Sequence, residues 1–298
     1  MTRTGITRAA ARDTVTAAID AGITHLDTAY CYGESGESDV AIASALADGG
    51  RRHSVVLAGK CGIHWEKGRR QVVDGRPQRL RSEVEESLLR LRTDRFDLLY
   101  LHAPDPVVPI EESAAELSRL RDDGKTVAVG VSNVNVDQLE RFTAVCPLAA
   151  VQMHYNVLQR EIEADVLPWC RGHGVAVVAY WPLMKGLLAD RMARDRVFPA
   201  TDSRHKYPMF QGAEFQRTLD FVEALRPTAT RLGYRVPQLV LAWTAEQAGI
   251  TSVLVGATTP DQVRENARSL GCDLDDDARQ AIADAVAARG PVASRRPV

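Results

Sequence analysis

Apolar residues along this chain alternate between two kinds of pattern. Residues 7–21 place Ala9, Val15, Ala18 and Ile19 on one helical face and stop at Gly22. Residues 39–47 predict a second helix, and Leu80, Val84, Leu88 and Leu91 give a third a strong apolar face. Between the helices lie short unbroken apolar runs, as in strands buried on both faces. A short strand beginning at Thr24 carries Asp27 before the chain breaks into a loop at Gly33, residues 54–58 lead to Lys60, and residues 96–102 end at His102, before Pro104 and Pro106. The alternation continues with a helix over 110–122, a strand over 127–131 leading into Ser132-Asn133, and a helix over 136–145. A strand over 149–153 carries Gln152, residues 165–173 read as helical, and a strand over 175–179 ends at Tyr180. Helices near 215–232 and 237–248 precede a last strand, 252–256, and a final helix begins near Pro260. Residues 62–77 and 190–211 read as long loops.

Strand–helix alternation at this spacing implies right-handed βαβ units and a parallel sheet. The fold class is therefore α/β, of the (β/α)8 TIM-barrel type, in a single domain over residues 1–298 with no internal linker. Only seven strands are evident, ending at Asp27, Lys60, His102, Ser132, Gln152, Tyr180 and Gly256. Either the chain begins late or the barrel has an open seam between its first and last visible strands.

Composition narrows the function. At 298 residues, 45% hydrophobic and 26% charged, the chain has ample core for one barrel. A net charge of −2 gives no field for nucleic acid or an anionic membrane, and Arg69-Arg70 reads as a solvated loop. No apolar run approaches a membrane span and no signal-peptide core opens the chain, so a cytoplasmic protein is expected. Five scattered cysteines without a Cys-x-x-Cys pair point to reduced thiols and no metal site.

In a parallel α/β barrel, strand C-termini converge on one mouth. Asp27, Lys60 and His102 end strands, and Tyr32 lies in the loop after Asp27; these four groups suffice for proton-coupled carbonyl chemistry. Each has a plainer reading: a turn-capping carboxylate, a buried Asp27–Lys60 salt bridge, a core histidine. Tyr30 is a rival phenol, read as packing.

The motifs Leu26-Asp27-Thr28-Ala29-x-x-Tyr32-Gly33-Glu34, Gly59-Lys60-Cys61-Gly62 and Leu101-His102-Ala103-Pro104-Asp105 occur in chain order. They are followed by Gly124-Lys125, Gly130-Val131-Ser132-Asn133, Val151-Gln152, Tyr180-x-Pro182-Leu183-x-x-Gly186-Leu187 and Gly256-Ala257-Thr258-x-Pro260-x-Gln262-x-x-Glu265-Asn266. With these the chain resembles the aldo-keto reductase superfamily, in the branch shared by bacterial reductases and potassium-channel β-subunits. Relatives begin with a short hairpin and a first barrel strand bearing a Gly-x-Gly-Thr-like segment, and this chain has neither. The resemblance implies a catalytic tetrad of Asp27, Tyr32, Lys60 and His102. Tyr32 would be the acid/base, Lys60 would lower its pKa, Asp27 would anchor Lys60, and His102 would orient the carbonyl. It also implies that Ser132, Asn133 and Gln152 hold a nicotinamide carboxamide and that Tyr180 stacks on the ring, next to the Pro182, Leu183 and Gly186 motif. Gly256, Thr258, Gln262, Glu265 and Asn266 would take the adenosine end, where helix-start N–H groups favour phosphate.

No Gly-x-Gly-x-x-Gly supports a Rossmann site. Arg191 and Arg204 match the cations for a 2′-phosphate, so NADP(H) is preferred and NAD(H) stays open. The implied partner is a small carbonyl or alcohol, with Trp65 and Trp181 as candidate walls for a flat or apolar substrate. The expected activity is reduction of an aldehyde or ketone, or its reverse. The alternatives are a nucleotide-binding partner subunit without turnover and an unrelated enzyme using Lys60 as a Schiff base.

Overall fold

A computed structural model of the chain describes residues 5–68, 70–199 and 202–292, the side chains of 48 and 49 excepted. The elements in order are α1 (Arg8–Asp20), β1 (His25–Asp27), α2 (Glu37–Ala47), β2 (Val56–Cys61), β3 (Ile63–Glu66), β4 (Arg70–Val73), α3 (Pro77–Leu91) and β5 (Phe96–Leu101). There follow α4 (Ile110–Asp122), β6 (Thr126–Ser132), α5 (Val136–Thr143), β7 (Ala150–His154), α6 (Val166–His173) and β8 (Ala176–Tyr180). The chain continues through α7 (Gly212–Arg231), α8 (Val236–Glu246), β9 (Ser252–Leu254), α9 (Pro260–Ala267) and α10 (Asp276–Arg289). Among the described residues no helix is long and apolar enough to cross a membrane.

Seven strands form one sheet in the order β1-β2-β5-β6-β7-β8-β9, the seven expected from the apolar runs. The β1–β2, β2–β5, β5–β6, β6–β7 and β8–β9 pairs are parallel. The fold is two compact units. The first holds the described residues up to Met153, Asp165–Val177 and Gly256–Ala267; the second holds His154–Ala164, Val178–Val255 and the described residues from Arg268.

In the first unit, Asp27 pairs with Ala58, Cys61 with Leu101 and Ser132 with Gln152. This register brings Asp27, Lys60, His102, Ser132 and Gln152 out along one edge of the sheet. Behind them Leu57, Ala58, Leu99, Tyr100, Leu101, Val129 and Val131 are buried, as the unbroken apolar runs require. Leu80, Val84, Leu88 and Leu91 of α3 are buried too, and each full burial of such a side chain contributes roughly 1.5–3 kcal/mol. The helix ends at Arg92, whose left-handed backbone (φ 55°) returns its N–H to Leu88 O. Asn135 and Gln138 cap α5 reciprocally, at 2.9 and 3.0 Å.

Two strand glycines leave room for aromatic rings. A Cβ on Gly130 would overlap the Tyr100 ring and lie 3.0 Å from Ala150 O, and one on Gly59 would overlap Phe96. Gly130→Ala is therefore expected to destabilise the protein by about 1–3 kcal/mol in chemical denaturation, as overpacking does.

Three expectations change. The 62–77 stretch is not an open loop: β3 and β4 form an antiparallel hairpin with Ile63 opposite Val73 and Glu66 opposite Arg70. Its strands are four residues each, too short for a clear period, yet Ile63, Trp65 and Val73 pack with Ala29, Cys31 and Ala103. Arg70 pairs with Glu66 at 2.5 Å on the exposed side, and Arg69 lies outside the described residues. The 190–211 stretch contains two short 3-10 turns, Ser203–Lys206 and Pro208–Phe210. The helix at Pro260 is not the last. It ends at Ala267, and α10 follows, capped by Asp275, whose carboxylate accepts from Ala278 N at 2.8 Å. In the second unit Arg289 of α10 reaches Glu214 at 2.8 Å and Thr218 at 3.0 Å on α7. The alanine-rich α10 buries little besides Ala278 and Ile282, so its apolar signal is weak.

Candidate active site

The first unit gathers the proposed tetrad. Lys60 is carried by β2 into the interior, its side chain 1% exposed. Its Nζ donates to Asp27 Oδ1, to Thr28 O at 3.1 Å and to Tyr32 Oη at 3.5 Å, and sits 4.9 Å from the Tyr32 ring centre. The second Asp27 oxygen accepts from Gln152 Nε2 at 2.8 Å. Asp27 thus fixes Lys60 on one side and the β7 amide on the other. The His102 ring stands edge-on to Tyr32, 5.8 Å between centres and 80° between planes. Tyr30, the rival phenol, donates instead to Glu86 Oε2 at 2.7 Å and has Arg79 and Arg90 over its ring.

Electrostatics distinguish the roles. Burial pushes the Tyr32 phenol above its ordinary value, and the nearby Lys60 charge only partly offsets this. The expected lowering of the resting pKa is thus reversed, because desolvation outweighs the ammonium. Tyr32 therefore carries its proton at neutral pH. Burial acts to lower the Lys60 pKa, but Asp27 and Tyr32 hold it above the ordinary value. A charged, ion-paired ammonium is not the neutral amine that Schiff-base chemistry needs. Burial and then the Lys60 charge push His102 well below its usual value, so its imidazole is neutral.

The neighbouring polar groups are also placed. Ser132 Oγ donates to Gln152 O at 2.8 Å, and Asn133 Nδ2 donates to His102 O at 2.9 Å and to Ser132 Oγ at 3.1 Å. Asn133 sits in the left-handed region (φ 61°), which asparagine tolerates better than most residues. At the start of α9, Gln262 Oε1 accepts from Thr258 N at 2.8 Å and Thr258 Oγ1 at 2.9 Å. A Cβ on Gly256 would meet nothing within 4 Å, and Asn266 is buried.

The second unit holds Tyr180, Pro182, Leu183, Gly186, Arg191 and Arg204. Tyr180 ends β8 with its ring 6.0 Å from Trp181 and 6.1 Å from His154. Trp181, Met184, Lys185 and Asp190 all adopt positive φ, a concentration of backbone strain of the kind found at binding loops. Arg204 is bonded by both carboxylate oxygens of Asp202, at 3.0 Å from Nε.

Sequence reasoning missed several supporting groups. Asp39 on α2 accepts from Thr28 Oγ1 at 2.7 Å, bracing the residue whose carbonyl receives Lys60. Glu83 on α3 is fully buried; it accepts from Gly62 N at 2.7 Å and from Arg79 at 2.9 Å, anchoring the turn after Lys60. Its signal was its spacing: Glu83 falls on the same helical face as Leu80 and Val84. Burial pushes Glu83 up to about 7 against an ordinary 4.5. The folded state then binds the extra proton, so stability falls as pH rises from about 4.5 to 7. At about 1.4 kcal/mol per pH unit the loss is roughly 3 kcal/mol. Denaturation of wild type and Glu83→Gln at pH 5 and 8 is expected to show this decline in wild type and not in the variant.

A model of the Aldo/keto reductase family matches residues 1–287. The chain is 38% identical over 271 residues to "Aldo-keto reductase YhdN" of Bacillus subtilis (strain 168), covering 91% of this chain and 81% of that protein. It is 36% identical over 276 residues to the "NADH-specific methylglyoxal reductase" of Escherichia coli (strain K12), covering 89% and 83%. Among solved structures, the glycerol dehydrogenase AKR11B4 from Gluconobacter oxydans superposes with a TM-score of 0.87 at 37% identity, over 96% of this chain and 88% of that one. An aldo/keto reductase from Klebsiella pneumoniae in complex with NADP and acetate gives 0.72 at 27% identity, over 97% and 88%. These likenesses run the length of an α/β fold of the (β/α)8 type. The chain belongs to the aldo/keto reductase family, a family of carbonyl oxidoreductases.

Proposed function

We propose that this chain reduces an aldehyde or ketone to an alcohol, or runs the reverse, with NADP(H) and with Tyr32 as the acid/base. The observation that carries the reading is one ammonium, Lys60, bonded to Asp27 and to the Tyr32 hydroxyl, with the His102 ring edge-on to Tyr32. A bound nicotinamide would supply the hydride. Ser132, Asn133 and Gln152 fit its carboxamide, since hydroxyl and amide groups side by side at two strand ends offer both donors and acceptors. Tyr180 is assigned to the ring face. Pro182, Leu183 and Gly186 are assigned to the adjoining loop, and Gly256, Thr258, Gln262, Glu265 and Asn266 to the adenosine end.

In this reading Tyr32 Oη gives its proton to the carbonyl oxygen as negative charge develops there. Lys60 stabilises the phenolate left behind, and Asp27 keeps Lys60 charged and in place. His102, being neutral, donates a hydrogen bond to the same oxygen and fixes its direction. Trp65, tied by its indole N–H to Cys31 O at 2.8 Å and packed, like Tyr32, on the cluster of Ala29, Cys31, Ile63 and Ala103, walls the substrate side.

NADP(H) is assigned through Arg191 and Arg204. The Arg204–Asp202 pair favours a second reading, NAD(H), because a guanidinium already bonded to a carboxylate has less to offer a 2′-phosphate; the Escherichia coli relative carries an NADH-specific name. Oxidation of NADPH and NADH by methylglyoxal and 4-nitrobenzaldehyde tests both. Turnover with either nucleotide supports the reductase, and the larger kcat/KM identifies the cofactor. Tight nucleotide binding with no turnover across a carbonyl panel would favour the binding-subunit alternative.

A further inference from the structure

Cys31 has no part in the mechanism above, yet it faces one of its groups. It is buried, 2% exposed, and its Sγ lies 3.7 Å from Nδ1 of His102, within reach for a sulfur hydrogen bond. The backbone of His102 is tied down by Cys61 O, which accepts its N–H at 2.9 Å, and by Asn133 Nδ2, which donates to its carbonyl. Among the described residues Cys31 is the one polar side chain bonded to the ring itself, and Tyr32 packs against the ring edge.

A neutral imidazole has a single N–H, and the bond made at one nitrogen decides whether the other donates or accepts. A thiol proton aimed at Nδ1 makes that nitrogen the acceptor and leaves the hydrogen on Nε2. We propose that Cys31 is a positioning residue: its S–H holds His102 in the Nε2–H tautomer, so that the ring donates to the substrate oxygen. The inference rests on the reading of His102 as the group that orients the carbonyl.

Two further observations agree with it. Burial pushes the Cys31 thiol up to about 12, so it keeps the proton it must donate throughout the neutral range. The main chain at Cys31 is held from outside by Trp65, whose indole N–H bonds the Cys31 carbonyl at 2.8 Å. The hairpin therefore holds the residue whose thiol faces His102.

The test is 15N NMR of histidine-labelled protein, with the His102 signals identified by their loss in His102→Asn. Wild type is expected to carry the proton on Nε2 with Nδ1 unprotonated. Cys31→Ala is expected to give a mixture of tautomers and to lower kcat for carbonyl reduction by roughly tenfold, with nucleotide affinity unchanged. Cys31→Ser, whose hydroxyl is also a donor, is expected to restore the wild-type tautomer and most of kcat. Wild type with the proton on Nδ1, or Cys31→Ala with an unaltered tautomer, overturns the proposal. The tautomer is read without turnover, so a missing activity in wild type counts against the reductase reading and not against the hydrogen bond.

Discussion

Replacing Tyr32 by phenylalanine is expected to cut carbonyl reduction by roughly a hundred- to ten-thousandfold while nucleotide binding stays at the wild-type level. The magnitude is that of a lost general acid in the transition state. The ring of the variant fills the same space, keeping its edge contact with His102 and its packing on the cluster of Ala29, Cys31, Ile63 and Ala103, so the fold has no reason to change. The Lys60–Asp27 pair is also left intact, because it does not depend on the phenol. Steady-state kinetics with nucleotide titration measures the two effects together. Loss of nucleotide affinity in parallel with activity would show that Tyr32 acts through structure.

Lys60→Met is the second large effect, and it acts on stability as well as rate. Lys60 is 1% exposed and Asp27 11%, so removing the ammonium leaves a nearly buried carboxylate that keeps, among the described residues, the Gln152 amide as its side-chain donor. Breaking one side of such a pair costs about 3–5 kcal/mol, which chemical denaturation at pH 7 detects as a lower midpoint. Lys60→Met with Asp27→Asn removes the stranded charge and is expected to recover part of that loss without recovering activity. A loss below about 1 kcal/mol in the single variant would mean that water reaches Asp27 more freely than its burial indicates. The two replacements separate the roles: Tyr32 affects rate alone, and Lys60 affects rate and folding together.

Much of this arrangement was legible in the chain. Asp27, Lys60, His102, Ser132 and Gln152 lie within two residues of the C-terminal ends of neighbouring parallel strands, and parallel pairing without register slips brings such ends to one edge. Tyr32 was legible only through the motif, since a loop residue has no period to place it. Other features depend on tertiary burial. The expected net lowering of the Tyr32 pKa is reversed because desolvation, invisible in sequence, outweighs the lowering by Lys60. Glu83 could have been found from its helical spacing with Leu80 and Val84, whereas nothing local to Cys31 announces a histidine seventy-one residues away. The β3–β4 hairpin escaped because its four-residue strands draw their stability from packing on Ala29, Cys31 and Ala103. Arg204 matches the position of a 2′-phosphate cation, and its pairing with Asp202, two residues away, depends on the turn that brings the two side chains together.

The most direct test of the central claim is single-turnover oxidation of bound NADPH by 4-nitrobenzaldehyde in H2O and D2O, for wild type and Tyr32→Phe. If Tyr32 delivers the proton, wild type slows in D2O, and the variant loses both the rate and its dependence on solvent deuterium. A variant that oxidises the nucleotide at the wild-type rate with the same solvent effect would contradict the account, because the proton would then reach the alkoxide from another group.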